Sequence, residues 1–252
     1  MGRETLRNAG CHRKTGEEDR LESLMETHLG GLVLDVATGT GSFIGFLRYY
    51  AGNEATIVAA EPSPEAVRSV AESFREQSVL PVRADGEYLC FPREMFDAVA
   101  VSNSVHHFAR PDRVLGDMIR VLKPGGLFVL REMFRDGDQT ESQKTHILLH
   151  HWRADVDALH GVFHHHTLTR RELEAVPGKL GLTGVLSAVQ TDMEADPKSP
   201  DRIESVEKTI QSTIARAEGH PELQARGGRI RERLQIHGFS GASSVLLAGI
   251  RA

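Results

Sequence analysis

The chain has 252 residues, 40% of them hydrophobic and 26% charged, with a formal charge of −5. That length buries one large core, or one core with inserted helices. The acidic balance offers no basic footprint for nucleic acid, and no apolar run is long enough to span a bilayer.

Met1 to Arg20 is polar, with no apolar signal core, and Cys11 and Cys90 are the only cysteines. A cytoplasmic protein with two reduced thiols is expected. Glu17–Leu29 places Leu21, Leu24, Met25 and Leu29 on one helical face. Leu32–Val36 reads as a buried strand, followed by a helix over Ser42–Tyr50. Thr56–Ala60 is a second strand ending at Glu61, and Pro62-Ser63-Pro64 opens a helix to about Gln77. Val79–Arg83 and Phe96–Ser102 are strands three and four. A helix over Pro111–Leu122 stops at Lys123-Pro124-Gly125-Gly126, and strand five begins at Leu127. Strands alternating with helices predict an α/β fold with a parallel sheet covered on both faces. After Leu130 the alternation breaks. Helices are expected over Thr140–His160 and Thr169–Leu180, the second entered through a Thr169/Glu172 capping box. Leu182–Val189 and Ser244–Ile250 are the last strands, with helices Ser199–Ala217 and Pro221–Ile236 between them.

Asp35-Val-Ala-Thr-Gly39-Thr-Gly41 lies where the first strand meets its helix. Glycines there let backbone approach a nucleotide closely. A dinucleotide fingerprint needs a third glycine three residues on. Ile44 holds that position and Gly45 comes one residue late. The remaining pattern, with Ala37 and Thr38 inside the loop, resembles the first motif of class I S-adenosylmethionine (SAM) methyltransferases, especially the quinone-biosynthesis C-methyltransferase branch. Further segments resemble that family in order. Glu61-Pro62 ends strand two, and Ala84-Asp85-Gly86 precedes Leu89. Ser102-Asn103 leads to Val105-His106-His107, and Val121-Leu-Lys-Pro-Gly-Gly-Leu-Phe128 enters strand five. The resemblance spans roughly residues 30 to 132.

It implies a Rossmann-like, seven-stranded, mostly parallel sheet with inserted lid helices. It implies SAM as cofactor and S-adenosylhomocysteine as product. The implied cofactor contacts are Asp35, Ala37, Thr38, Gly39, Gly41, Glu61, Pro62, Ala84, Asp85, Gly86, Ser102 and Asn103. The whole chain, 1–252, is expected to form one methyltransferase domain. It would comprise a SAM-binding core (30–135), a His-rich lid (136–168) and a helical insert (195–238) lacking a core of its own.

Methyl transfer from a sulfonium is an in-line displacement that needs a base only when the acceptor loses a proton. His107, His106 and Glu132 are the candidates for that role. The other reading makes the histidine pair a feature of the fold and Glu132 a strand-end acid. The loop lacks the Asn/Asp-Pro-Pro-Tyr sequence common in exocyclic- and amide-nitrogen methyltransferases, which speaks against those acceptors.

Seven of the 13 histidines lie between His146 and His166. His146 and His150 share a helical face, with Asp157 two turns beyond, and His164-His165-His166 follows after a short loop. They line an acceptor pocket, hold a divalent metal, or form a solvated face. Trp152 is a candidate anchor of the lid. The expected activity is methyl transfer to a small molecule, with carbon or oxygen favoured and neither nucleic acid nor membrane as partner. The expected assembly is a monomer or homodimer. Two alternatives stand: a SAM-binding sensor without methyl transfer, and a protein or RNA methyltransferase.

Overall fold

A computed structural model describes residues 16–75, 77–191 and 196–252; Cys11 lies outside them. Helix α1 (Gly16–His28) is followed by β1 (Leu32–Val36), α2 (Ile44–Ala51), β2 (Thr56–Glu61), α3 (Pro64–Ser73) and β3 (Val79–Arg83). Next come β4 (Phe96–Ser102), a short 3₁₀ turn (Val105–His107), α4 (Pro111–Val121) and β5 (Leu122–Met133). The remainder is α5 (Glu141–Leu159), α6 (Arg170–Glu174), α7 (Val176–Lys179), β6 (Leu182–Gln190), α8 (Pro200–Arg216), α9 (Pro221–His237) and β7 (Ser244–Arg251).

The strands form one sheet in the order β3-β2-β1-β4-β5-β7-β6. Strands β1 to β5 pair in parallel, whereas β7 runs antiparallel to both β5 and β6. The seven-stranded, mostly parallel sheet expected from the sequence is therefore present. Its strand order reverses between β1 and β4, which opens a crevice beyond their C-terminal ends.

Period-two alternation sorts the strand residues onto two faces. Leu34, Val36, Val99 and Val101 pack with Val114, Leu115 and Met118 of α4. Val33, Ile57, Ala98 and Ala100 pack with Leu21 and Met25 of α1 and Ile44 and Leu47 of α2. Among the described residues, no helix is long and apolar enough to cross a membrane.

Three boundaries differ from expectation. Helix α3 stops at Ser73, with Phe74 leaving helical geometry. The 169–180 segment divides into α6 and α7 at Ala175, just before Pro177, which has no N–H to continue a helix. Strand β5 starts at Leu122, through a register shift opposite Phe96 and Ala98. Gly126 permits that path, because a Cβ there would lie 2.9 Å from the Asp97 carbonyl oxygen.

The inserted helices share an apolar cluster of their own, which sequence reading did not anticipate. Leu149, Trp152 and Val156 of α5 meet Val206 and Ile210 of α8 and Ile230 and Leu234 of α9. Trp152 is wholly buried and donates its indole N–H to the Leu223 carbonyl at 2.9 Å.

Candidate functional site

The crevice at the strand ends begins with the glycine loop. Ala37, Gly39 and Gly41 all have positive φ (55°, 55° and 90°), so the chain turns sharply out of β1. A Cβ on Gly41 would fall 2.6 Å from the Phe74 ring, whereas one on Gly39 would meet nothing within 4 Å. The loop is thus packed behind Gly41 and open beside Gly39. Ile44, at the place of a third glycine, is fully buried, consistent with the exclusion of a dinucleotide fingerprint.

Glu61, at the end of β2, faces this opening. One carboxylate oxygen accepts from Gly39 N–H at 2.9 Å and the other from Ser63 N–H at 3.1 Å. Each oxygen keeps a lone pair. The group can therefore accept from a vicinal diol, such as a ribose, while holding the loop. Asp35 is buried beneath the loop and accepts from the Thr38 hydroxyl at 2.5 Å. Burial raises its pKa to about 7, with the Thr38 hydrogen bond pulling the other way.

Beyond β3, Asp85 is exposed and accepts from Glu87 N–H. Gly86 lies close to Val36, Val114 and Phe108. Ala84 N–H donates to the Glu61 carbonyl, and the Pro62 carbonyl accepts from Arg83. Leu89 is buried in the core with α4. After β4, Asn103 adopts positive φ, and its side-chain oxygen accepts from Met133 N–H at 3.1 Å. That amide is committed to β5. Ser104 links the two loops, with its hydroxyl bonded to the Ser102 and Ala37 carbonyls. Glu61 and the open face of Gly39 thus present carboxylate acceptors and bare backbone to the space beyond the strand ends.

The loop after β4 is built on Glu132 of β5. Glu132 is wholly buried, and one of its oxygens accepts from both Ser104 N–H (3.0 Å) and Val105 N–H (2.9 Å). The other lies 2.8 Å from Nδ1 of His106. Glu132 therefore positions His106 and the turn, and it lines neither of the two cavities described below. His106 is buried, while His107 is exposed. Its ring nevertheless packs against His106 and His164, and the partial desolvation of that packed ring, with the two neighbouring imidazoles, lowers its pKa to about 3. Such a ring is neutral near pH 7 and a weak base.

Helix α5 and the segment after it bring further histidines to this loop. His106 stands 4.6 Å from His150 and 5.6 Å from His164, ring centre to ring centre. His107 and His164 are 4.1 Å apart. His165 N–H donates to the His106 carbonyl at 2.8 Å, which ties the segment down. His146 takes a different partner: its Nδ1 accepts from Ala242 N–H at 2.9 Å.

Two cavities flank the cluster. One, of about 520 Å³, is lined by His146, His150, Arg153, Phe239 and residues of α8. The other, of about 1140 Å³, lies between the β4 loop, the start of α4 and the 161–180 segment. Val105, Leu115, Phe163, Leu168 and Val176 give it an apolar lining, Arg135, Arg171 and Lys179 supply cations, and His106, His164 and His165 complete its wall. Trp152 lines neither cavity.

The structure sets the cofactor candidates at the strand ends and gathers His106, His107 and His150 into one cluster, with His106 lining the larger cavity and His150 the smaller. It sets His146 and Trp152 apart from that group. Sequence reading placed His164 with His165 and His166 as a run able to complete a metal shell, without singling it out. The signal for it was Asp157, two turns beyond His150, whose carboxylate lies 2.7 Å from Nδ1 of His164.

Residues 34–130 match the family model described as a methyltransferase domain. The ubiquinone/menaquinone biosynthesis C-methyltransferase UbiE of Yersinia enterocolitica is 31% identical over 107 residues, covering 41% of this chain and 43% of that protein. The chain thus spans under half the length of the curated relatives it matches. Among solved structures, a Bacillus halodurans protein provisionally named a methyltransferase shares 18% identity at a TM-score of 0.59, covering 92% of this chain and 99% of its own. The [4+2]-cyclase SpnF shares 20% identity at 0.55, covering 93% and 81%. These two similarities establish the fold.

Proposed function

We propose that this chain, whose residues 34–130 match the methyltransferase-domain family model, is a class I methyltransferase that transfers the methyl group of SAM to a small-molecule acceptor. A carbon or oxygen acceptor of quinone type is the reading we adopt. The observation that carries it is Glu61, whose carboxylate stands across from the open face of Gly39. An acid at the end of the second strand of such a sheet binds the ribose diol of a nucleoside. Bound there, SAM supplies an electrophilic methyl group. Gly39 and Gly41 shape the loop around the cofactor tail, Asp35 and Thr38 hold that loop from beneath, and Asp85 lies at the adenine side.

The large apolar cavity supports the choice of acceptor. Its volume suits a ring with an apolar extension, and Arg135, Arg171 and Lys179 can meet acceptor oxygens. Closing the 161–180 segment over an acceptor would exclude water from the displacement. His107 lines neither cavity and His106 is held by Glu132, so we assign neither a proton-removing role, and catalysis rests mainly on positioning. We place the protein in the cytoplasm, in keeping with an exposed, unpaired Cys90.

The test is release of S-adenosylhomocysteine on incubation with SAM and a panel of hydroquinones, with and without prenyl tails. Product with the prenylated members supports the full reading. Cofactor binding without product from any acceptor favours a sensor role. Absence of cofactor binding removes the reading altogether.

A further inference from the structure

The cluster at the wall between the two cavities has a composition that methyl transfer does not require. His106 and His107 come from the 3₁₀ turn after β4, His150 from α5, and His164 from the loop after it. One ring nitrogen from each lies within 4.8 Å of the other three. We propose that these four histidines bind one divalent transition-metal ion.

Three observations carry the proposal. The first is a set of unpartnered atoms. Nε2 of His106, Nδ1 of His150 and Nε2 of His164 are all buried without a hydrogen-bond partner. Buried polar atoms are normally satisfied, and three unsatisfied ones in one cluster call for a shared partner. A metal ion satisfies all three at once.

The second is the support behind the rings. Glu132 accepts from Nδ1 of His106 at 2.8 Å, and Asp157 accepts from Nδ1 of His164 at 2.7 Å. Placing the proton on each Nδ1 leaves each Nε2 with its lone pair turned into the cluster. A carboxylate behind a metal-binding imidazole is the usual way such ligands are oriented. Asp157 is itself held by Arg216 of α8, at 2.6 Å.

The third is the chemistry of the donor set. It holds four imidazoles and no carboxylate or thiolate, which suits zinc, copper, iron, cobalt or nickel and not magnesium or calcium. Bonds of ~2.1 Å place neighbouring ligand nitrogens about 3.4 Å apart in a tetrahedron, so a modest contraction of the cluster completes the site.

The proposal does not depend on methyl transfer. An ion at this point ties α5 and the 161–168 segment to the β4 loop. It therefore stabilises the fold and gives a readout separate from activity.

The experiment uses the full chain without a histidine tag, stripped with chelator and titrated with Co²⁺ and then Zn²⁺. The expected result is roughly one Co²⁺ per chain, with a visible ligand-field spectrum, displaced by Zn²⁺ and accompanied by a higher unfolding temperature. His150→Gln and His164→Gln should each weaken binding by ~10-fold or more, while His28→Gln on α1 leaves it unchanged. Circular dichroism confirms that each variant is folded. Failure of the folded wild-type chain to bind Co²⁺ or Zn²⁺ saturably would overturn the proposal. So would binding that survives both cluster substitutions, since the ion would then sit elsewhere.

Discussion

Glu132 and His106 act as one buried unit: a carboxylate oxygen lies 2.8 Å from Nδ1, and the other oxygen holds the Ser104 and Val105 amides. Glu132→Ala strands three buried groups and should cost ~3–5 kcal/mol in denaturant unfolding. Glu132→Gln retains an acceptor for the amides but turns an NH₂ toward His106. That reverses the ring tautomer and protonates Nε2. The expected outcome is a milder loss of ~1–3 kcal/mol, with the change of tautomer visible by ¹⁵N NMR and metal affinity reduced.

The glycine loop separates ligand effects from packing effects. Gly39→Ala places a methyl group in the open space beside Glu61, at a φ of 55° that an L-residue adopts at a cost of ~1–2 kcal/mol. Affinity for S-adenosylhomocysteine should fall by ~10-fold or more while the protein stays folded. Gly41→Ala instead drives a Cβ to 2.6 Å from the Phe74 ring and should lower the melting temperature. Equal effects of the two substitutions on affinity and stability would contradict this division.

The seven strands and most helices were legible because buried strands and proline or capping-box helix starts leave local signals. Asp35, Glu61 and Asp85 were legible because they fall at strand ends, where topology gathers them. The histidines were legible as candidates, but the convergence of the 164–166 run and His150 with His106 and His107 was not. His106, His150 and His164 converge from three separate segments, and nothing local distinguishes His164 from His165 and His166. The core of the inserted helices was also hidden, because Trp152, Ile210 and Leu234 meet only in tertiary packing.

That packing is tight enough to test with one methyl group. A Cβ on Gly227 would lie 2.6 Å from both Ile214 and the Trp152 ring. Replacing glycine with alanine within a helix gains up to ~1 kcal/mol, but overpacking costs ~1–3 kcal/mol. Gly227→Ala should therefore be net destabilising, measured by thermal unfolding. A rise in melting temperature would show that α5 and α9 do not meet as described.

The buried titratable groups set the acid response of the metal-free protein. Desolvation within the packed histidines lowers His107 to about 3, His146 to about 4, His150 to about 2 and His151 to about 4. Below about pH 6.5 the unfolded chain takes up protons that these folded rings refuse, so stability falls on acidification. Asp35 acts in the opposite sense. Raised to about 7, it holds a proton that the unfolded chain loses, so its contribution falls as pH rises toward 7. The histidines outnumber it. Denaturation from pH 7 to pH 5 should show net loss, and Asp35→Asn should steepen that loss by up to ~1.4 kcal/mol per pH unit.

The central claim is that the crevice between β1 and β4 binds SAM through Glu61 and the glycine loop. Calorimetric titration of the tag-free chain with SAM tests it most directly. The account predicts saturable binding of roughly one equivalent, weakened ~10-fold or more by Glu61→Gln, since a hydrogen bond to a charged group contributes ~1.5–3 kcal/mol. Absence of binding to the folded wild-type chain, or undiminished binding in Glu61→Gln, would contradict it.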